Sequence, residues 1–194
     1  MTMQQLSLTC SDGAETIHPN LPAVLYRQWL PLSQADRLWQ SALSLPWEYE
    51  QIKCRGGWRT LKRKVVWVAD PGITYRYTGR VHQPIGWTTP LQGVRERLAA
   101  RLSLAVNSVL GNFYADGHQM MGYHQDNEPE LGQKPCIASL SLGAKRRFHF
   151  RQRATGQTLT LSLLVSRNRQ HGLPSEKGTA ARINFTFRYI QPDR

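Results

Sequence analysis

Apolar residues recur at three- and four-residue intervals in two stretches of the chain. In the first, Ala35, Leu38, Trp39 and Leu43 share one face, which predicts an amphipathic helix from Pro31, with Ser33 as N-cap and Pro46 as its stop. In the second, Val94, Leu98, Ala99 and Leu102 predict a helix over residues 91 to 104. Between them, residues 65 to 67 and 74 to 77 read as short strands bounded by the Asp70-Pro71-Gly72 turn. Past residue 108 the period shortens. Segments 109–114, 137–142, 148–151, 159–165 and 182–190 are strand-like and are separated by Gly, Pro and charged turns. Such spacing predicts an antiparallel barrel or jelly roll with helices flanking one face, an α+β, mainly β, fold.

Composition sets the scale. The 194 residues are 40% apolar and 20% charged, an ordinary globular balance. At this length roughly two-thirds of the unfolded surface is buried without disulfides or a structural metal. One domain over residues 21–194 is expected, preceded by a loose polar tail over residues 1–20. Cys10, Cys54 and Cys136 are odd in number and far apart, which argues against a disulfide framework or a cysteine-rich zinc site. The first twenty residues lack a basic stretch followed by an apolar run, and no stretch approaches the roughly 18 apolar residues of a membrane helix. A soluble, cytoplasmic, monomeric protein is the expectation.

Charge narrows the choice of partner. The formal net charge is +12, and residues 145–194 carry eleven basic against two acidic side chains. The run Lys145, Arg146, Arg147, Arg151 and Arg153, interleaved with Phe148 and Phe150, suits a polyanion such as nucleic acid.

Two patterns point to chemistry. In an extended segment, residues i and i+2 project to the same side, so His124-Gln125-Asp126 brings an imidazole and a carboxylate together. His171, in a Gln-His-Gly-Leu-Pro turn, is a third candidate. Two histidines and a carboxylate are the facial triad of non-haem Fe(II) oxygenases, which leaves coordination positions for a co-substrate and dioxygen. The last strand alternates as well. Arg182, Asn184, Thr186 and Arg188 fall on one face and Ile183, Phe185 and Phe187 on the other. Arginines lining a pocket require an anion, and a dicarboxylate answers two of them. Asn112 and Tyr114 add neutral hydrogen-bonding groups from another strand.

In order, Asn112-Phe-Tyr114, His124-Gln-Asp126, His171 and Arg182-x-Asn184-x-Thr186-Phe-Arg188 resemble the AlkB family of Fe(II)- and 2-oxoglutarate-dependent dioxygenases. Further stretches are similar to its nucleic-acid repair branch: Asp70 to Gly79, Asn107 to Leu110, Asp126 to Leu131 and Ile137 to Phe148. The resemblance runs from about residue 20 to 190. It implies a double-stranded β-helix in which His124, Asp126 and His171 hold Fe(II). It also implies that Asn112, Tyr114, Arg182, Asn184, Thr186 and Arg188 hold 2-oxoglutarate. The expected reaction consumes O2 and removes alkyl groups such as those of 1-methyladenine and 3-methylcytosine from DNA, and from RNA as a further substrate. Aldehyde, succinate and CO2 are released. By the same resemblance a recognition lid covers about 55–90, with Trp67, Tyr75 and Tyr77 on it, and Glu128 and Arg151 lie near the base.

The chain departs from the family pattern between Leu159 and His171, which is about ten residues short. Two alternatives to the dealkylase therefore stand at this level: a nucleic-acid-binding AlkB-like protein with impaired iron chemistry, and a demethylase of another substrate. The first rests on a displaced His171. The second is disfavoured by the charge of the last fifty residues.

Overall fold

Ile183, Phe185 and Phe187 are fully buried, and the strand that carries them organises the molecule. The structure is a computed structural model and describes residues 14–18, 21–54, 56–77, 80–126, 128–132, 135–151, 155–156, 158–161 and 170–191. The elements in chain order are β1 (Ala14–His18), β2 (Leu21–Tyr26), α1 (Leu32–Leu43), β3 (Glu48–Cys54), β4 (Gly57–Ala69), β5 (Tyr75–Tyr77), β6 (Arg80–His82), α2 (Thr89–Leu102), β7 (Ser108–Tyr114), β8 (Met121–His124), β9 (Ala138–Gly143), β10 (Phe148–Arg151), β11 (Thr158–Leu161), β12 (Gln170–Leu173) and β13 (Arg182–Arg188). A 3₁₀ turn covers Pro129–Leu131.

The larger sheet runs β3-β4-β7-β13-β9 and the smaller β11-β10-β12-β8, with antiparallel pairing between all neighbours in both. The expected β-rich jelly roll with flanking helices is the observed architecture. One face of the larger sheet packs under the helices: Leu38 and Ala42 of α1 and Leu91, Val94 and Leu98 of α2 join Val66, Val68, Val109, Phe185 and Phe187 in one apolar cluster. Tyr114, Phe148, Phe150 and Leu173 form a second cluster between the two sheets. Gly111 of β7 lets the first layer close, because a Cβ there would lie 2.7 Å from Val66 and 2.9 Å from Trp47. Truncating the centre of this layer with Phe185→Ala is expected to cost about 3–5 kcal/mol, read as a lower urea midpoint with unchanged slope.

Several expected boundaries move, each for a local reason. Helix α1 begins at Leu32 with Pro31 as its N-cap, because the Pro31 carbonyl accepts from both Gln34 and Ala35 amides; Ser33 lies inside the first turn. Helix α2 starts earlier, at Thr89, with Pro90 in its first turn, and stops at Leu102 because Ser103 turns into the left-handed region at φ 49°. Residues 14–18, expected in the tail, pair with β2. Strand β4 extends well beyond the expected 65–67 because β3 supplies a partner along its N-terminal half. His171 sits in a strand, not a turn, since β10 and β8 pair with it on both sides. The expected strand 159–165 is described only to Leu161. No helix among the described residues is long and apolar enough to cross a membrane.

Arg146 corrects the reading of the basic run. Its side chain is buried, and its guanidinium donates to the carbonyls of Asp116, Gly117, Gln119 and Pro174. It therefore pins the β7–β8 and β12–β13 connections rather than facing a polyanion. Lys145, Arg147 and Arg151 remain exposed, and Arg153 lies outside the described residues.

Candidate active site

A cleft opens between the inner faces of the two sheets, and its polar lining comes from the alternation on β7, β8, β12 and β13. His124 ends β8, Asp126 follows two residues later, and His171 lies opposite His124 in the β8–β12 ladder. One ligand atom from each of the three falls within 4.8 Å of the others. The imidazole centroids of His124 and His171 are 4.1 Å apart, and His171 Nε2 lies 3.8 Å from Asp126 Oδ2. Pairing of β12 on both sides thus delivers His171 despite the short segment before it, whose residues 162–169 lie outside the described set.

The protonation pattern suits a cation. His124 Nδ1 lies 2.9 Å from the Gly122 carbonyl. A carbonyl only accepts, so Nδ1 is the donor and Nε2 is the ring nitrogen left for a metal, the arrangement that metal-binding histidines use. Burial would push the Asp126 carboxyl up, but Arg188, His171 and His124 outweigh it and hold its pKa below the usual 3.8. The Arg188 guanidinium donates to Asp126 Oδ1 at 3.0 Å, which leaves Oδ2 on the His171 side. Two imidazoles and one ionised carboxylate are the donor set that open non-haem Fe(II) sites use.

The other polar row faces this triad. Arg182, Asn184 and Thr186 of β13 are buried and line the same cleft as Asn112 and Tyr114 of β7. Their register is set by direct pairing of Arg182 with Tyr114 and of Asn184 with Asn112. From β9, Ser141 Oγ accepts from Arg182 at 2.7 Å and Ser139 Oγ accepts from Asn184 at 2.8 Å. Arg182 is nonetheless short of anionic partners: its Nε has no hydrogen-bond acceptor among the described residues. Burial lowers its pKa to about 10, with Tyr114 opposing and Arg146 adding to the drop. The Tyr114 hydroxyl is pushed up by burial, against the pull of Arg182, Arg63 and Arg146. A buried guanidinium with no carboxylate beside it among the described residues is an anion site in waiting.

The remaining expected residues scatter. Trp67 is buried with Val65, Ile73, Leu110, Leu131 and Ile190, paired across the ladder with cleft-lining Leu110. Tyr75 and Tyr77 lie on β5, paired with β6; their side chains lie outside the described residues. Glu128 is half-buried and its Oε2 has no partner among the described residues. Arg151 is exposed at the end of β10, 5.3 Å from the Tyr123 ring. Ser139, Ser141, Glu50 and Arg63 were not anticipated. For the last, the signal is a charged residue in phase with Val65, Trp67 and Ala69 on one strand face.

The 2OG-Fe(II) oxygenase superfamily model matches residues 22–188. The DNA oxidative demethylase ALKBH2 of Mus musculus is 33% identical over 163 residues, covering 74% of this chain and 68% of that protein. The chain is an AlkB-family member of that superfamily. The alpha-ketoglutarate-dependent dioxygenase alkB homolog 3 of Mus musculus is 29% identical over 190 residues, with coverages of 87% and 66%. Among solved structures, OsALKBH1 superposes with a TM-score of 0.59 at 19% identity, covering 91% of this chain and 99% of that one; that likeness is one of fold. The chain spans about two thirds of the length of the curated relatives it matches. The superfamily's cofactor is Fe(II), with 2-oxoglutarate and O2 as co-substrates, and the donor set described above fits both metal and dicarboxylate.

Proposed function

We propose that this AlkB-family protein oxidatively dealkylates N-alkylated nucleobases in nucleic acid, acting as a monomer. The observation that carries this reading is the meeting, in one cleft, of a His-Asp-His cluster and a buried arginine that has no carboxylate partner among the described residues. When bound, Fe(II), 2-oxoglutarate and O2 supply the oxidation that releases the alkyl group as aldehyde, with succinate and CO2 as the other products.

The chain's own residues do the positioning. His124, Asp126 and His171 would hold the metal, and Arg188 keeps Asp126 ionised and turned by its hydrogen bond. Arg182, with Ser141 steadying one of its nitrogens, would receive one carboxylate of 2-oxoglutarate by charge-assisted hydrogen bonds. Asn112, Tyr114, Asn184 and Thr186 complete that wall, and Arg188 lies at its far end. Phe148 stacks on His171 at 5.6 Å and keeps water from that side of the cleft.

Nucleic acid as substrate is supported by the net charge of +12 and by exposed aromatic and basic side chains on the β3–β4 hairpin, Tyr49, Trp58, Arg59 and Lys62. ALKBH2 relatives are DNA oxidative demethylases by name. The target base must leave its stack to reach a cleft this deep; of the expected 55–90 lid, residues 57–69 are β4 within the larger sheet, so the part that carries Tyr75 and Tyr77 would close over it. The partnerless Glu128 oxygen suits the exocyclic amino group of adenine or cytosine as a donor.

The test is mass spectrometry of a 1-methyladenine or 3-methylcytosine oligonucleotide incubated with the protein, ferrous iron, 2-oxoglutarate and ascorbate. Loss of one methylene mass, absent when a chelator is added, is the expected result; no loss in either reaction overturns the reading. Glu128→Gln replaces one acceptor oxygen with a donor. It is expected to lower kcat/KM for the oligonucleotide about tenfold while the Kd for 2-oxoglutarate stays unchanged.

A further inference from the structure

Arg63 and Glu50 form an ion pair with side chains only 3% and 1% exposed, Arg63 Nη2 donating to Glu50 Oε2 at 3.0 Å. Buried pairs of this kind are seldom better for stability than apolar side chains of equal volume, and the residues in phase with Arg63 on its face of β4, Val65, Trp67 and Ala69, are apolar and buried. The second bond of the guanidinium gives the pair a purpose. Arg63 Nε donates to Asn112 Oδ1 at 2.8 Å, and Asn112 is one of the cleft-lining residues of β7.

We propose that the Glu50–Arg63 pair is a positioning device for the co-substrate, acting through Asn112. An arginine only donates, so the Asn112 atom facing it must be the carbonyl oxygen. The amide nitrogen, with two N–H donors, then serves the other side, the cleft. Carboxylate and keto oxygens of 2-oxoglutarate only accept, and the opposite amide orientation would set oxygen against oxygen. Planarity makes the device stiff: one rigid fork offers Nη2 to Glu50 and Nε to Asn112 together, so clamping the first aims the second. Glu50 has a further effect. It neutralises Arg63, so Arg182 is the carboxylate-free arginine of the cleft among the described residues, while Arg63 acts behind Asn112 as an oriented donor.

This inference rests on the function proposed above, and the experiment separates the two. The probe is 2-oxoglutarate binding by calorimetry to Mn(II)-loaded protein without oxygen, with thermal melting to confirm folding. Arg63→Ala alone would strand Glu50 and risk unfolding; Glu50→Leu/Arg63→Met removes both charges, keeps volume and is expected to fold. In that variant the Kd for 2-oxoglutarate should rise about tenfold or more, the weight of one hydrogen bond to a charged acceptor, while Mn(II) affinity holds. Asn112→Ala should cause a similar rise in the parent protein. Added to the Glu50→Leu/Arg63→Met background it should cause less than a threefold further change, because both routes disable the same donor. A folded double variant that binds 2-oxoglutarate within twofold of the parent, or a fully additive Asn112→Ala effect, overturns the inference alone. Failure of the parent protein to bind 2-oxoglutarate overturns the proposed function and this inference together.

Discussion

Asp126→Ala is expected to abolish dealkylation and to destabilise the metal-free protein by about 3–5 kcal/mol. Both effects come from the same carboxylate. It is one of three candidate ligands, and its other oxygen accepts from a guanidinium whose side chain is 4% exposed. Removing it takes from buried Arg188 a charge partner at 3.0 Å, and broken buried pairs are among the costliest single changes. Asp126→Asn separates the effects. The amide oxygen still accepts from Arg188, so most stability returns, while a neutral amide is too weak a ligand to restore turnover. Urea unfolding of both variants beside the mass-spectrometric assay checks this. Because the folded pKa of Asp126 is depressed, its stabilisation is complete above the unfolded value of 3.8. It shrinks as pH falls below that value and is gone once pH passes the folded pKa. The gap in stability between the parent protein and Asp126→Ala should therefore narrow steeply at acid pH.

Arg182→Met is expected to raise the Kd for 2-oxoglutarate on the order of 100-fold, the worth of about 3 kcal/mol from a charge-assisted contact. The same substitution should leave the co-substrate-free protein as stable as the parent or more so. The parent holds a desolvated guanidinium there with one hydroxyl partner and an Nε lacking an acceptor among the described residues, and an apolar side chain of similar length removes that cost. Calorimetric 2-oxoglutarate binding and thermal melting, each run on the metal-loaded protein, check the two halves. Loss of melting temperature with unchanged binding would mean that Arg182 serves the fold and not the anion. The opposite signs expected are the mark of a site that stores strain until its ligand arrives.

How much of this was legible in the sequence depends on how local the signal is. The alternation of β13 was readable because its period of two separates Arg182, Asn184, Thr186 and Arg188 from Ile183, Phe185 and Phe187 without reference to any other strand. His124 and Asp126 were readable for the same reason. The order of the motifs reached the family from there, since each motif is a short contiguous string. Strand β3 was not readable. Its residues are mostly polar, and it exists because β4 offers it a ladder. The burial of Trp67 was not readable either, because an aromatic residue on a strand looks the same from sequence whether it packs on Leu110 and Ile73 or stands open.

What residue order settles here is therefore which face of each strand is apolar, which side chains come as pairs two residues apart, and the sign of the total charge. Tertiary structure alone decides the rest. It returns His171 to His124 across the β8–β12 ladder, despite the short run before it. It buries Arg146 against four carbonyls while its neighbours Lys145 and Arg147 stay in water. It sets Glu50 and Arg63 behind Asn112, and leaves Arg182 as the buried arginine that meets a hydroxyl instead of a carboxylate. The physical reason is common to all four: the free energy of a charged side chain is set by what lies within a few ångströms of it. Those neighbours come from strands far apart in the chain, whose pairing no local pattern encodes.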